Sequence, residues 1–219
     1  MNNKEMLYIK QNGECYIDKD CKWGSISPTK LNNNENLKMI YDKIYYRAYD
    51  ENNNFVGIYP KEVLHSKDTS LYHETVWMWI TDETGRVLIQ KRAATKKFLP
   101  GKWDISCAGH IELFETPEYA AARELEEELG LDMARDLLQN EKMFKYKSEW
   151  LHEFSYNYFM QINSSTISIR KCDAEVDDVK FVSLDELQRI IYSEDFVPHD
   201  IEYKRKVLNE LKNRINKDK

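Results

Sequence analysis

The chain has 219 residues, of which 42% are hydrophobic and 32% are charged, so it can bury the sizeable core of a globular protein. The net charge of −6 argues against a general nucleic-acid binder. No run of about 18 apolar residues occurs, so the sequence predicts no membrane span.

The N-terminal region and the cysteines bear on where the protein works. The N-terminus is polar and lacks the apolar core of a secretory signal peptide. Cys15 and Cys21 could close a small loop, but free thiols in a cytosolic protein fit the spacing of the four cysteines better. The sequence therefore predicts a cytoplasmic protein without a membrane partner, and it leaves open whether the chain forms a homodimer.

The asparagine-rich stretch 31–36 suggests a boundary between an extension and a main domain. Such a stretch is typical of a surface loop. Residues 1–38 are therefore expected to form an N-terminal extension, and residues 39–219 the main domain. Tyr8, Tyr16 and Trp23 would let parts of the extension fold onto that domain, but the pattern assigns the extension no role.

The main domain combines strand patterns with a smaller number of helical ones. Aromatic and β-branched runs between turns predict strands at 40–49, 55–59, 75–81, 86–91, 103–108, 142–150, 153–162 and 176–182. A helical turn is expected at 60–65, and helices at 117–129, 184–192 and 201–215. This order of elements favours an α+β or mixed α/β domain over a regular doubly wound sheet.

The limits of the helix predicted at 117–129 can be read from its flanking residues. Thr116 suits the N-cap, and Pro117 suits the first helical turn. Gly130 suits the left-handed residue at which a helix stops. The helix is therefore expected to begin at Pro117 and to end at Leu129.

The same helix carries four carboxylates in the five positions 124–128, which repel one another unless a cation holds them. At 100° per residue Glu124, Glu127 and Glu128 fall within an arc of about 100°. Leu125 and Leu129 lie on a different side that can face a core. Three convergent carboxylates supply the hard oxygen ligands that Mg²⁺ and Mn²⁺ prefer.

Residues 109–131 resemble the Nudix box of diphosphate hydrolases. Gly109, Glu115 and the run 123–131 fill every position of that box at its spacing. The resemblance implies the Nudix fold, a mixed β-sheet between α-helices, over about residues 40–215. It also implies a hydrolase that uses Mg²⁺ or Mn²⁺ to cleave a diphosphate linkage in a small molecule, usually a nucleoside diphosphate derivative.

The resemblance also assigns roles to residues of the box. It implies a metal site made by Glu124, Glu127, Glu128 and the backbone carbonyl of Gly109. Arg123 lies beside Glu127 on the helical wheel and would orient that glutamate through a charge-assisted hydrogen bond. Glu115 would brace the loop or pair with Arg123.

The general base of such an enzyme comes from the box or from a later loop. Outside the box the candidates are Glu153, Glu175, Asp177 and Asp178, each of which alone is typical of a solvated surface acid. Glu153 ranks first because of a second resemblance described below. The predicted catalytic residues are Glu124, Glu127, Arg123 and Glu153.

A basic segment, residues 90–97, follows one of the predicted strands. It is either a solvated loop or a phosphate clamp opposite the carboxylates, and we favour the clamp. Arg92 and Lys96 are the best candidates, with Lys91 as a third, because arginine can hold a phosphate in a two-pronged grip.

The stretch 65–153 is also similar to isopentenyl diphosphate isomerase, a branch of the same superfamily. The segments 99–103 and 106–110 match its Pro-Gly-x-Trp and Ser-x-x-Gly-His motifs. Four residues fall near positions where that isomerase binds metal or places its acid, namely His65, His73, His110 and Glu153. They would form a transition-metal site if they converge, although a lone histidine is at least as often structural.

The isomerase resemblance fails at its essential thiol, whose position holds Ala108 here. Cys107 is adjacent, but neighbouring side chains of a strand point to opposite faces, and only a one-residue bulge would bring its thiol into place. Leu151 occupies a second metal-ligand position of the isomerase. A hydrolase is therefore favoured, with an isomerase and a catalytically silent nucleotide-binding module as alternatives.

Two further segments resemble an isomerase-like subgroup of Nudix proteins. They are residues 103–111 and 196–200. This resemblance assigns neither a substrate nor a role to the residues in them.

Overall fold

In the computed structural model of the protein, the described residues are 45–113, 115–131, 144–172 and 174–217, with the backbone of two strands nearer the N-terminus. These strands, β1 (Met6–Ile9) and β2 (Cys15–Asp18), pair antiparallel. The predicted loop at 31–36 lies outside the described residues, and the boundary near residue 38 stays a prediction. The chain divides into two compact units, residues 1–74 with 112–114 and residues 75–111 with 115–219.

The first unit contains a β-hairpin, a single helical turn and the beginning of a long strand. These elements are β3 (Tyr45–Tyr49), β4 (Phe55–Pro60), α1 (Lys61–Leu64) and the first three residues of β5 (Tyr72–Asp82). The carboxylate of Asp50 closes the hairpin by accepting hydrogen bonds from the backbone of Asn52 and Asn54. Tyr46 and Leu64 belong to a small buried cluster that packs this unit.

The second unit contains the rest of β5 and nine further elements. These are β6 (Val87–Arg92), β7 (Trp103–Asp104), β8 (Cys107–His110), α2 (Pro117–Leu129), β9 (Phe144–Ser148), β10 (Glu153–Ile162), β11 (Val176–Val182), α3 (Leu184–Ile190) and α4 (Ile201–Lys217). No helix in the described ranges is long and apolar enough to cross a membrane.

The strands of the second unit form a mixed sheet in the order β11-β6-β5-β10-β9. β11 pairs antiparallel with β6, and β10 pairs antiparallel with β9. Thr75 contacts Glu153, and Thr81 contacts Met160 further along both strands, so β5 and β10 run in the same direction. The predicted mixed sheet is confirmed.

Each face of this sheet packs against different helices. On β5, Val76, Met78 and Ile80 are fully buried against α2, in a cluster that includes Leu125 and Leu129. The intervening side chains, Trp77 and Trp79, lie in a second cluster with residues of α3 and α4. This period-two alternation buries both faces of the sheet, as the resemblance to the Nudix fold implied.

The helix limits predicted from capping residues are confirmed. The Thr116 hydroxyl accepts a hydrogen bond from the backbone N–H of Tyr119, and Gly130 ends α2 with a left-handed φ of 65°. Ser183 caps α3 in the same way by accepting from the backbone N–H of Glu186.

The single strand predicted at 103–108 is wrong, because this segment forms two short strands with different neighbours. β5 and β6 pair next to their turn, at Thr81 and Val87, and further on β7 pairs with β6 and β8 pairs with β5. Between them the buried Ser106 hydroxyl accepts a hydrogen bond from Ile80 N–H at 2.9 Å and donates to the Leu88 carbonyl at 2.6 Å. Ser106 therefore satisfies backbone groups of both strands where they separate.

We predict that Ser106→Ala lowers the free energy of unfolding by about 2–3 kcal/mol, because it leaves a buried donor and a buried acceptor unpaired. Urea denaturation measures the change. Ser193→Ala is the matched control, since this half-buried hydroxyl makes one hydrogen bond, to the Ile190 carbonyl, and should cost about 1 kcal/mol or less. Equal losses in the two variants would contradict a special role for Ser106.

Candidate functional site

Helix α2 presents its three convergent carboxylates with graded exposure. Glu128 is 8% exposed, the Glu124 side chain 14% and the Glu127 side chain 59%. Leu125 is fully buried on the core side, as the helical wheel predicted, and Glu126 is exposed. The helix thus offers one carboxylate at the surface and two that are largely withdrawn from water.

The guanidinium of Arg123 ties the acidic side chains together. It donates to both carboxylate oxygens of Glu115, at 2.7 and 2.9 Å. Its Nη1 donates to Glu124 at 2.8 Å and to Glu127 at 3.0 Å, and its Nη2 also donates to the carbonyl of His110. The expected pairs of Arg123 with Glu115 and Glu127 are both present, and the arginine anchors α2 to the end of β8.

Gly109 allows an unusually close approach between β8 and α2. A Cβ atom built on Gly109 would lie 1.9 Å from Cδ of Glu124 and 2.0 Å from its Oε1. No side chain fits in that space unless the glutamate moves. Glycine is therefore required at position 109 for steric reasons, because any side chain there would displace the carboxylate of Glu124.

Burial strongly affects the acids nearest the sheet. It raises the pKa of Glu124 to about 7, the charges of Glu128 and Glu127 add to this effect, and Arg123 opposes it. Burial also raises the pKa of Glu128, although hydrogen bonds from Cys107 and Gln90 work in the opposite direction. Perturbed acids in one cluster are typical of functional sites.

Sequence reasoning missed Gln90, a buried residue of β6 whose Nε2 donates to Glu128 at 3.1 Å. Gln90 is the first residue of the basic segment 90–97. Strand periodicity predicts which face of the sheet its side chain is on, but not which residue of α2 it contacts. It acts as a positioning residue for Glu128.

These contacts fit a bound divalent cation. The donors are hard carboxylate oxygens, and Gly109 leaves room for Glu124 beside the backbone of β8. A bound Mg²⁺ or Mn²⁺ would stabilise the ionised forms that burial disfavours at Glu124 and Glu128.

The basic residues of the predicted clamp have partners of their own. Arg92 donates from Nη1 to Asp104 at 3.2 Å and from Nη2 to the Phe98 carbonyl at 3.0 Å. Lys96 pairs with Glu175. Burial raises the pKa of Glu128, and the positive charge of Lys96 partly opposes that rise. The clamp stays a prediction.

Lys91 lies apart from these pairs, with its ammonium 6.0 Å from the centroid of the Trp103 ring. Two of the candidate bases bind backbone: Asp177 accepts from Ala94 N–H and Asp178 from the N–H of Val179.

Glu153 lies on the other face of the sheet from α2. It is 8% exposed and accepts a hydrogen bond from the hydroxyl of Thr75, which is on the same side of β5 as Trp77. Burial raises the pKa of Glu153 to about 7. The sheet therefore separates this predicted catalytic residue from the α2 carboxylates.

The three histidines of the isomerase resemblance are divided between the units. In the first unit the rings of His65 and His73 lie 4.9 Å apart. In the second unit His110 ends β8 opposite Thr75. Their joint role as metal ligands stays a prediction.

Cys107 and Ala108 lie on opposite faces of the sheet, as strand alternation predicted. β8 pairs with β5 without a bulge, with Cys107 opposite Met78 and Ala108 opposite Trp77. Cys107 is fully buried in the cluster under α2, whereas Ala108 packs on the other face of the sheet. Burial and the charge of Glu128 raise the pKa of the Cys107 thiol.

Sequence reasoning also missed a buried contact between Asp104 and His199, whose Oδ1 and Nε2 atoms are within hydrogen-bond distance at 3.0 Å. Both residues lie in the segments that resemble the isomerase-like subgroup. That resemblance flagged the segments, but no local pattern shows that residues 95 positions apart meet.

The sequence is similar to one protein family and to several characterised and uncharacterised proteins. The NUDIX domain model matches residues 71–205. An uncharacterized Nudix hydrolase of Listeria monocytogenes is 34% identical over 127 residues, which cover 58% of this chain and 73% of that protein. Isopentenyl-diphosphate Delta-isomerase 2 of Photorhabdus laumondii is also 34% identical, over 65% of this chain and 78% of its own. Nudix hydrolase 3 of Arabidopsis thaliana is 36% identical, but the match spans only 18% of that longer protein.

Solved structures share the fold at lower identity. A protein from Deinococcus radiodurans superposes with a TM-score of 0.55 at 17% identity, covering 77% of this chain and 98% of that one. A bifunctional NMN adenylyltransferase/ADP ribose pyrophosphatase from Francisella tularensis, solved with AMP and a Mn ion, gives 0.50 at 22% identity over 66% of this chain and 42% of its own.

We predict that Gly109→Ala weakens Mn²⁺ binding by about 10-fold or more with little loss of stability. The added methyl group displaces the flexible end of Glu124, and misplaced metal-site groups typically cost 10–100-fold in affinity. Calorimetric titration with Mn²⁺ and thermal melting measure the two effects.

The control is the same substitution in a Glu124→Ala background, where the methyl group meets no carboxylate. There Gly109→Ala should have no further effect on Mn²⁺ binding. An additional 10-fold loss in the double variant would show that the glycine acts by some other route.

Proposed function

Because the chain belongs to the Nudix family, we propose that it is a divalent-metal-dependent pyrophosphohydrolase that cleaves the diphosphate linkage of a nucleoside diphosphate derivative. The observation that carries this proposal is the Arg123-centred array on α2, in which Glu124 and Glu127 share one guanidinium nitrogen. In an acidic helix that is only solvated, the Glu124 carboxylate would not be packed against Gly109 of the sheet.

The proposed metal ligands are Glu124, Glu127, Glu128 and the backbone carbonyl of Gly109. These residues would hold Mg²⁺ or Mn²⁺, which would supply positive charge against the phosphate oxygens and the leaving group. The Francisella tularensis enzyme that shares this fold was solved with AMP and a Mn ion, which supports the choice of cation.

The remaining residues position these ligands and the substrate. Arg123 holds Glu124 and Glu127 in place, and Gln90 holds Glu128. Glu127, the most exposed of the three, is best placed to accept a proton from water. The proposed phosphate contacts come from Arg92, Lys96 and Lys91.

The catalytic proposal predicts that Glu127→Gln or Glu128→Gln lowers turnover at least ~100-fold, as expected when a metal-site group is lost. Phosphate or nucleotide release is measured across nucleotide sugars, dinucleotides, nucleoside triphosphates and prenyl diphosphates, with Mg²⁺ or Mn²⁺. Glu126→Gln, on the exposed side of the same helix, is the matched control and should keep normal turnover.

Normal rates in both variants would refute the mechanism. Tight nucleotide binding by the wild-type protein without release of phosphate, for every substrate of the panel, would indicate a silent binding module instead.

The isomerase relatives support a second candidate, isomerisation of isopentenyl diphosphate. We expect no dimethylallyl isomer, because Ala108 stands at the thiol position and Cys107 is buried on the opposite face. Incubation with isopentenyl diphosphate, followed by chromatography, tests this expectation. An isomerase activity that Cys107→Ala abolishes would reverse the ranking of the two functions.

A further inference from the structure

The chain just before β11 connects the carboxylate-bearing end of α2 to the predicted phosphate clamp. Cys172 N–H donates to the Glu128 carbonyl at 2.9 Å, and Glu175 N–H donates to the Cys172 carbonyl at 2.9 Å. The carbonyl of Glu175 in turn accepts from Ala93 N–H at 3.0 Å. These backbone hydrogen bonds lead from a proposed metal ligand to the loop after β6, and Glu175 takes part in the last two of them.

The loop after β6 is folded against the same part of the chain. Lys96 N–H donates to the Ala93 carbonyl at 3.0 Å and closes a turn. Ala94 N–H, inside this turn, donates to the Asp177 carboxylate at 2.9 Å. The backbone of Lys96 is therefore held close to the residues that begin β11.

The side chains of Lys96 and Glu175 form an ion pair at this junction. They are 29% and 43% exposed, so both are open to solvent and to a ligand. Burial raises the pKa of Glu128, and the positive charge of Lys96 works against that rise, so Lys96 also acts on a proposed metal ligand. Lys96 thus interacts with two carboxylates, with Glu175 by direct contact and with Glu128 through its charge.

These two carboxylates compete for one ammonium group. Glu128 is 8% exposed, and a cation nearby stabilises the ionised form of a buried carboxylate. The lysine side chain is a flexible stem that carries a compact point charge. Without its partner at position 175, Lys96 would turn toward Glu128 and place an ammonium where the metal ion has to bind.

We propose that Glu175 is a positioning residue that holds Lys96 away from the metal ligands and keeps its ammonium available for the substrate phosphate. An ammonium has three donors, so Lys96 can bind a phosphate oxygen without leaving Glu175. Glu175, one of the acids considered as a general base, then acts through Lys96 instead. This assignment rests on the proposed metal site and the proposed hydrolysis.

The test is a double-mutant cycle on Mn²⁺ binding, measured by calorimetric titration of the full chain without substrate. Glu175→Gln releases Lys96 to compete for Glu128, so Mn²⁺ affinity should fall about 10-fold, as is typical when a group that supports metal ligands is lost. Lys96→Met removes the competing charge and should bind Mn²⁺ at least as tightly as the wild type. In that background Glu175→Gln should change the affinity by less than about twofold.

Asp178→Asn is the matched control, because Asp178 is a nearby exposed carboxylate that accepts from the N–H of Val179. Loss of this surface charge should leave Mn²⁺ affinity within about twofold of the wild type. Thermal melting shows whether each variant is folded, and Glu175→Ala should repeat the loss seen with Glu175→Gln.

Two results would overturn the role of Glu175. One is an equal effect of Glu175→Gln and Asp178→Asn, and the other is a loss of about 10-fold that persists in the Lys96→Met background. Either result together with normal hydrolysis would refute this role alone. The expected cycle in a protein that hydrolyses no diphosphate would leave the role standing and refute the proposed hydrolase, and a wild-type protein that binds no Mn²⁺ would refute both.

Discussion

The guanidinium of Arg123 is the interaction on which the candidate active site depends. Neighbouring carboxylates on one helix repel each other, and burial makes their ionisation still more costly. Arg123 offsets this repulsion by donating to Glu115, Glu124 and Glu127 at once, and its bond to the His110 carbonyl fixes the helix against β8. A lysine could not replace it, because a single ammonium lacks the planar array of donors that serves several partners in fixed directions.

The separation of β5 and β6 determines which residues lie on the α2 face of the sheet and which lie on the opposite face. β7 and β8 enter where β5 and β6 separate, and Ser106 satisfies both strands at the fork. Strand alternation in β8 then directs Cys107 and Gly109 toward α2, and Ala108 toward the opposite face. The proposed metal ligands and the buried Asp104–His199 pair are therefore built from neighbouring residues of the chain but lie on different faces of one sheet.

Local signals explain what could be predicted from the sequence. The limits of α2 follow from Thr116 and Gly130, and the face of its glutamates follows from helical geometry, because each depends on residues a few positions apart. The break at Ser106 depends on strands that meet only in the folded chain, so the segment 103–108 looked like one strand. The pairs Gln90–Glu128 and Asp104–His199 were missed for the same reason, since no periodicity links residues so far apart.

The position of the thiol bears on the choice between the two candidate functions. An isomerase of this superfamily needs a thiol on the sheet face opposite α2, and here that face carries the Ala108 methyl group, whereas Cys107 is buried beside Glu128. The methyl group of Ala108 cannot supply the sulfur that such an isomerase needs on the face where Glu153 lies. The residues at the thiol position therefore favour the proposed hydrolysis over isomerisation.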